Sequence, residues 1–194
     1  NDDELATRCW SIHNCGRALQ GAWYEHPLIG SNYRMSEFHA ALLLSQMRHL
    51  QEQTATRTRN AALLGELLGE IDGVRPLVTD HRVTVSANHL FVIRYDARAF
   101  DGAPRDRFIE ALRAEGIPCS SGYRPLYLEK AFDATFAERP FTSAYFGGKP
   151  DYSKVTCPVT ERICAHESVW LPQSMLLGPS TDMEEIAAAV RKIS

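Results

Sequence analysis

The residues best suited to bind an anion lie together in the run Gly-Ser-Asn-Tyr-Arg-Met-Ser at positions 30–36. The side-chain amide of Asn32 can donate hydrogen bonds, and a helix starting near Ser36 would add its positive dipole end. The planar guanidinium of Arg34 can pair with a phosphate or a carboxylate. Each residue also has a structural alternative: a turn or cap for Asn32, an ion pair for Arg34 and packing for Tyr33.

Other common catalytic signatures are absent from the sequence. There is no G-x-S-x-G of serine hydrolases, no phosphate-binding G-x-x-x-x-G-K-[ST] and no dinucleotide-binding G-x-G-x-x-G. Cys9, His13 and Cys15 are close in sequence, but their spacing is unlike that of a known zinc site. We therefore expect no metal.

The composition is typical of a globular protein and excludes several classes of function. Hydrophobic residues make up 44% of the 194 residues and charged residues 23%, which is sufficient for a core. A formal charge of −3 argues against nucleic-acid binding, and no apolar run is long enough to span a membrane. The five cysteines form no C-x-x-C pair, which favours reduced thiols and a cytoplasmic location.

Apolar periodicity predicts the elements that must hold the anion-binding run. We expect a helix over residues 2–12 and a long ordered loop over 14–35, and loops of that length tend to be functional. Two helices are predicted next, at 36–50 and 61–71. The first is apolar on two sides, which is typical of a buried helix or of one at a subunit contact.

The remainder of the chain mixes strands with helices, which indicates an α+β unit with the two preceding helices as a spine. Strands are predicted around Val83 and Val85 and at 90–95, 117–123 and 169–171, and helices at 104–116 and 159–167. Residues 126–151 read as an irregular segment. A Thr-Asp-Met-Glu capping box at 181–184 predicts the start of a last helix. Its apolar stripe consists of Met183, Ile186, Ala187, Val190 and Ile193.

The anion-binding run also carries a resemblance to a known family. Residues 30–41, Gly-Ser-Asn-Tyr-Arg-Met-Ser-Glu-Phe-His-Ala-Ala, are similar to the signature G-x-N-Y-R-M-[ST]-x-x-x-A-A of the DegT/DnrJ/StrS-type aminotransferases. These are fold-type I pyridoxal-phosphate enzymes that aminate keto-sugars and keto-cyclitols. Residues 14–17 resemble the family's N-H-G-R, with Cys15 in place of the histidine. Residues 122–127 resemble its H-Y-x-P-L-H, with both histidines replaced.

Further segments match in the same order along the chain. Residues 89–94 resemble the family's small-domain strand, and Glu161-Arg162 followed by Trp170-Leu171-Pro172 resembles its E-R…L-P segment. Residues 170–177 are more similar to the aminocyclitol branch than to the nucleotide-sugar branch. The resemblance therefore extends over nearly the whole chain.

The resemblance implies an α/β fold in which this chain is the carboxyl-terminal part of a fold-type I transferase. Residues 1–50 would end the large cofactor-binding domain with a trans-acting loop and an interface helix. Residues 51–194 would form an interdomain helix and a small α+β domain, with a mixed or antiparallel sheet flanked by helices.

The resemblance also implies roles for single residues. Asn32 and Arg34 would bind pyridoxal 5′-phosphate, with Asn32 reaching the cofactor of the neighbouring subunit in a homodimer. Tyr33, Tyr123 and Tyr127 would line the substrate end, where phenol hydroxyls suit a polyhydroxylated ring; packing is the alternative for each.

Transamination also requires a lysine that carries the cofactor as a Schiff base and moves protons. The family's lysine stands in an S-x-x-K context, which is absent around the four lysines of this chain, Lys130, Lys149, Lys154 and Lys192. That lysine should lie just upstream of Asn1, so we expect a fragment and assign no catalytic residue within it.

The expected reaction is transfer of an amino group from glutamine or glutamate to a keto-cyclitol or keto-sugar, in aminosugar or antibiotic biosynthesis. The alternative is a non-catalytic module of the same fold. Such a module would serve dimerisation or ligand binding, or act as a sensor.

Overall fold

The structure, a computed structural model, describes residues 1–22, 24–130 and 151–194. The chain divides into two compact units, Asn1–Gln51 and Glu52–Ser194. Most of the irregular segment predicted at 126–151 lies outside the described residues. No helix in the described part of the chain is long and apolar enough to cross a membrane.

The first unit begins with helix α1 (Asp3–His13), close to the predicted bounds, and the side chain of Asp2 caps it by accepting a hydrogen bond from the Leu5 N–H. A loop follows, as predicted, and an antiparallel bridge between Asn14 and Asn32 closes it.

Helix α2 (Glu37–Gly69) is a single helix of 33 residues, so the prediction of two separate helices is wrong. Residues 51–60 contain neither glycine nor proline, and therefore nothing in them interrupts the backbone hydrogen bonds between the two apolar patterns. The helix begins in the first unit and ends in the second.

The second unit contains an antiparallel sheet of three strands in the order β1-β2-β3, namely β1 (Val74–Pro76), β2 (Leu90–Tyr95) and β3 (Ser168–Pro172). The sheet confirms the predicted small sheet and its antiparallel alternative. Among the described residues, three further helices accompany it: α3 (Arg105–Ala114), α4 (Pro158–Arg162) and α5 (Ser180–Ile193). A π-helical turn, Ile163–Glu167, joins α4 to β3.

The core of the second unit lies between one face of the sheet and the apolar sides of α2, α3 and α5. Its fully buried side chains include Leu64, Ile93, Leu112, Leu171 and Met183. The predicted stripe on α5 is confirmed, because four of its members are buried and Ile193 packs against them. The capping box is not used: Pro179 occupies the cap position, and no side chain caps the helix.

Two predicted strands are absent from the described structure. Val83 and Val85 are exposed beside a turn in which the Val83 N–H donates to the Asp80 carbonyl. A β-branched pattern forms a strand only where another strand pairs with it. Residues 117–123 form only one bridge, between Ser120 and Trp170, because Pro118 lacks the N–H that a continuous ladder needs.

Candidate active site

The candidate anion-binding run, residues 30–36, is supported by close backbone packing within the first unit. Gly16 has a φ of +79°, and a Cβ there would meet the carbonyl of Leu28. A Cβ on Gly30 would come within 2.5 Å of the Gly16 nitrogen and of the Ile12 carbonyl oxygen. The segments 14–17 and 28–32 therefore form one structural unit, which explains why both contain a glycine.

Backbone hydrogen bonds hold the end of this loop against α1. The Ser31 N–H donates to the Ile12 carbonyl and the Tyr33 N–H to the His13 carbonyl, each at 3.0 Å. Asn32 lies between these two anchored residues, so the position of its backbone is fixed before any ligand binds.

Cys15 also contributes to the loop through its backbone. Its N–H donates to the Ser31 carbonyl at 3.0 Å, and its carbonyl accepts a hydrogen bond from His26 Nδ1 at 2.9 Å. Its φ of 62° lies in the left-handed region. The histidine that Cys15 replaces in the N-H-G-R pattern is therefore not needed for these two bonds.

The side chain of Asn32 is oriented by Arg34. Both the Nε–H of Arg34, at 3.0 Å, and its backbone N–H, at 3.4 Å, donate to Asn32 Oδ1. Two donors facing one atom identify that atom as the amide oxygen. The Nδ2 of Asn32 and both η nitrogens of Arg34 have no hydrogen-bond partner among the described residues. This pair can therefore bind an anion with several oxygens.

Helix α2 starts at Glu37, as the predicted anion site requires. Ser36 Oγ accepts a hydrogen bond from the His39 N–H and lies 3.0 Å from His39 Nδ1, which fixes the first turn. The N-terminal end of the helix dipole therefore lies within three residues of Arg34 in sequence.

Tyr123, in the second unit, packs edge-on against Trp170, with ring centroids 4.8 Å apart. The residue before it, Gly122, has a φ of +79°, and a Cβ there would collide with the Trp170 indole. The tyrosine is otherwise exposed, so its hydroxyl is accessible to a ligand.

Tyr127 is half-buried, and its hydroxyl donates a short hydrogen bond to Glu161 Oε1. The Cys157 N–H donates to the same oxygen at 2.8 Å. The hydrogen bond to Glu161 raises the pKa of Tyr127 to about 12, and the bond from Tyr127 lowers the pKa of Glu161. The H-Y-x-P-L-H-like and E-R-like segments are thus in direct contact.

The predicted site residues fall into two groups. Asn32, Tyr33 and Arg34 are neighbours in the first unit, whereas Tyr123 and Tyr127 belong to the second. Glu161 and Trp170, which hold the second group, were not predicted as functional, although both stand in segments that carried the family resemblance.

Comparison with known proteins gives a match along almost the whole chain. The profile of the DegT/DnrJ/EryC1/StrS aminotransferase family matches residues 1–191. The chain belongs to the DegT/DnrJ/EryC1/StrS aminotransferase family. The recognition from the Asn-Tyr-Arg-Met run is therefore confirmed.

Its relatives include enzymes that aminate keto-cyclitols. The chain is 37% identical over 167 residues to the L-glutamine:2-deoxy-scyllo-inosose aminotransferase of Streptoalloteichus tenebrarius, covering 86% of this chain and 39% of that protein. It is 33% identical to the enzyme of the same name from Streptomyces paromomycinus, covering 99% of this chain and 47% of that protein. The chain thus spans about half the length, or less, of these relatives.

Solved structures show the same fold. The crystal structure of 3-amino-5-hydroxybenzoic acid synthase superposes with a TM-score of 0.78 at 28% identity, over 100% of this chain and 47% of that one. The predicted α/β fold of an aminotransferase of this family is therefore confirmed.

Proposed function

We propose that this chain is the carboxyl-terminal part of a pyridoxal-phosphate-dependent aminotransferase that acts on a keto-cyclitol with glutamine as the amino donor. The observation that carries the proposal is the Asn32–Arg34 pair, in which the arginine fixes the amide and leaves donors unused on both side chains. Family membership and the printed names of the relatives support the same assignment.

The unused donors suit the phosphate of pyridoxal 5′-phosphate. The Nδ2 of Asn32 and the η nitrogens of Arg34 can donate to its oxygens, and the start of α2 adds a favourable dipole. When bound, the cofactor supplies an electron sink for the substrate carbon that gains or loses a proton. We assign the cofactor-bearing lysine to a position upstream of Asn1 and no catalytic residue to these 194 positions.

The first unit supports a shared site in a homodimer. Its apolar side chains on α2 are exposed: Phe38 is 91% and Leu44 65% accessible. Several exposed apolar side chains on one helix are typical of a protein–protein interface. We therefore propose that the loop of one protomer, with Asn32 and Arg34, binds the cofactor held by its partner.

The tyrosines are proposed to contact the substrate. Tyr33 and Tyr123 are exposed and can present hydroxyl groups to a polyhydroxylated ring. The hydroxyl hydrogen of Tyr127 is used in its hydrogen bond to Glu161. The phenol oxygen can therefore only accept a hydrogen bond from a substrate hydroxyl. The five cysteines are free thiols, which supports a cytoplasmic location.

The test of the reaction is an assay of the full-length polypeptide that carries this sequence. With glutamine and 2-deoxy-scyllo-inosose we expect an amino-cyclitol product by mass spectrometry, and less product with a nucleotide-linked keto-sugar. Binding of pyridoxal 5′-phosphate without any amine product would contradict the enzyme and favour the non-catalytic module.

The test of the cofactor residues is a double-mutant cycle. Asn32→Ala should weaken cofactor binding by about tenfold to a hundredfold, because it removes a hydrogen bond to a charged group. Arg34→Lys keeps the charge but loses the Nε–H that orients Asn32, and should cost about tenfold. Absorbance titration of the cofactor measures both.

The orienting role of Arg34 makes the two effects non-additive. In the Asn32→Ala background, Arg34→Lys should cost clearly less than it does alone. Arg107→Lys, at an exposed position of α3, is the control and should bind the cofactor normally. Fully additive losses would mean that Arg34 does not act through Asn32.

A further inference from the structure

A cavity of about 620 Å³ lies within the second unit, and neither Tyr123 nor Tyr127 lines it. It opens where β1 and β2 meet the turn Ala97–Ala99 and the π-helical turn Ile163–Glu167. Its volume is in the range of small-molecule sites. The basic side chains that line it are Arg75, Arg94, Arg98, Arg162 and His166.

The cavity carries excess positive charge in a chain whose net charge is −3. Four guanidinium groups face two carboxylates, those of Asp96 and Glu167, which leaves two positive charges uncompensated. The side-chain hydrogen bond from Arg98 lowers the pKa of Asp96 to about 2. Partial burial opposes ionisation of Glu167, but hydrogen bonds from Arg94 and Arg162 outweigh it and lower its pKa.

Two of the arginines are held in place by one carboxylate. Arg94 donates from Nε to Glu167 Oε2 at 3.0 Å, and its Nη2 lies 2.8 Å from the same oxygen in an ion pair. Arg162 donates from Nε to Glu167 Oε1 at 2.6 Å. The side chain of Glu167 is only 15% exposed. Both η nitrogens of Arg162 remain without a hydrogen bond among the described residues.

Arg75 lies directly across the sheet from Arg94, as its Cα partner in the β1–β2 ladder. Like charges in directly opposed positions destabilise a sheet. The carboxylate of Glu167 compensates the charge of Arg94. Arg75 makes no hydrogen bond or ion pair within the described residues, and its charge acts only at longer range, by helping to lower the pKa of Asp96. A bound anion would compensate this charge.

The wall of the cavity also depends on a glycine. Gly73 has a φ of +78°, and a Cβ there would come within 2.5 Å of the Ala99 Cβ and 2.8 Å of the Phe100 ring. The start of β1 can therefore approach the Ala97–Ala99 turn closely, which brings Arg75 and Arg98 to the same cavity.

We propose that this cavity is a second anion site, which binds a phosphate dianion, free or as a monoester of a small molecule, between Arg75, Arg94 and Arg162. The two excess positive charges match a dianion. The unused guanidinium donors match phosphate oxygens, which arginine binds bidentately. The site shares no residue with Asn32 and Arg34 and does not depend on the proposed reaction.

Calorimetric titration of the full-length polypeptide, loaded with pyridoxal 5′-phosphate and then dialysed to remove unbound cofactor, tests the proposal. Inorganic phosphate should bind, and Arg75→Gln should raise its dissociation constant by about tenfold. Arg107→Gln removes the same charge at a position 76% exposed on α3 and should leave the constant unchanged.

Two esters distinguish the source of the phosphate. Adenosine monophosphate or ribose 5-phosphate binding more tightly than inorganic phosphate would identify an organic ligand, whereas equal binding would identify free phosphate. A dissociation constant that Arg75→Gln does not change, or the absence of binding at about 10 mM phosphate, would overturn the proposal.

A stability measurement distinguishes loss of the anion site from loss of folding. Without phosphate, the unfolding midpoint of Arg75→Gln should be no lower than that of the unmodified protein, because the substitution removes a like-charge pair. Phosphate should raise the midpoint of the unmodified protein more than that of the variant. Equal shifts would contradict a site at Arg75.

Discussion

The two units of this chain are stabilised in different ways. In the second unit, the large apolar residues of α2, α3, α5 and the sheet form a closed core. In the first unit, the buried residues are Ser11, Asn14 and Gly16, and the large apolar side chains of the described residues remain accessible. Backbone hydrogen bonds and glycine packing hold the first unit, whereas apolar burial holds the second.

This difference matches two requirements of the proposed active site. A loop that binds an anion needs donors in fixed positions, and main-chain bonds on both sides of Asn32 provide them. An accessible apolar face is then available for another protein surface. The second unit instead supplies a stable support on which Tyr123 and Tyr127 are carried.

The largest expected effect is the loss of a core side chain. Leu112→Ala should lower the free energy of unfolding by about 2–5 kcal/mol at every protein concentration, since Leu112 is fully buried. Leu44→Ala, on the exposed face of α2, should change it by about 0.5 kcal/mol or less in a monomer. Urea unfolding at two protein concentrations measures both.

The outcome for Leu44→Ala shows whether this side chain lies at an interface or packs within the chain. An effect that grows with protein concentration would support an interface on this face of α2. A loss equal to that of Leu112→Ala at both concentrations would mean that Leu44 is packed within the chain.

Substitution of a glycine by alanine should have a smaller effect on the free energy of unfolding. Gly16→Ala and Gly102→Ala both place an alanine at positive φ, but only at position 16 does the new Cβ meet backbone. Gly16→Ala should therefore be more destabilising by about 1–3 kcal/mol. It should also speed hydrogen exchange of the Tyr33 amide, which donates to His13. Normal protection of that amide would contradict the packing role of Gly16.

The smallest effect concerns the Tyr127–Glu161 hydrogen bond. The lowered pKa of Glu161 means that its stabilisation is present above the ordinary value of 4.5 and is lost as the pH falls through the lowered value. The raised pKa of Tyr127 means that its stabilisation is present below pH 10 and is lost as the pH rises towards about 12.

Tyr127→Phe should therefore be less stable than the unmodified protein between about pH 4.5 and pH 10, and the difference should shrink on both sides. Thermal unfolding across this range measures it. A difference that persists unchanged at pH 3 would mean that packing of the ring, not the hydrogen bond, is responsible.

Much of the fold could be predicted from the sequence, because it depends on local patterns. The apolar stripe of α5 and the β-branched run of β2 each identify an element without knowledge of its neighbours. Strand β1 was missed because its three residues include one proline and gain strand character only by pairing with β2. Residues 83–85 show the reverse case: they have the sequence pattern of a strand, but no strand of the described structure pairs with them.

The candidate site could be predicted only as a set of residues. The Asn-Tyr-Arg-Met run predicts Asn32 and Arg34 as binding residues, but the bond from Arg34 Nε that fixes the amide depends on side-chain geometry. The contact between Tyr127 and Glu161 joins positions 34 residues apart, and that of Arg57 with Ala87 joins positions 30 apart. Sequence periodicity contains no information about such distant pairs.

The mutual contact of Gly16 and Gly30 has a consequence for sequence variation among relatives. Each residue leaves room for the backbone of the other's segment, so a side chain at either position already separates the two segments. Once they are apart, a second side chain at the other position costs little more. Evolution should therefore retain both glycines or lose them as a pair, and a relative that carries only one would be expected to have a rebuilt loop.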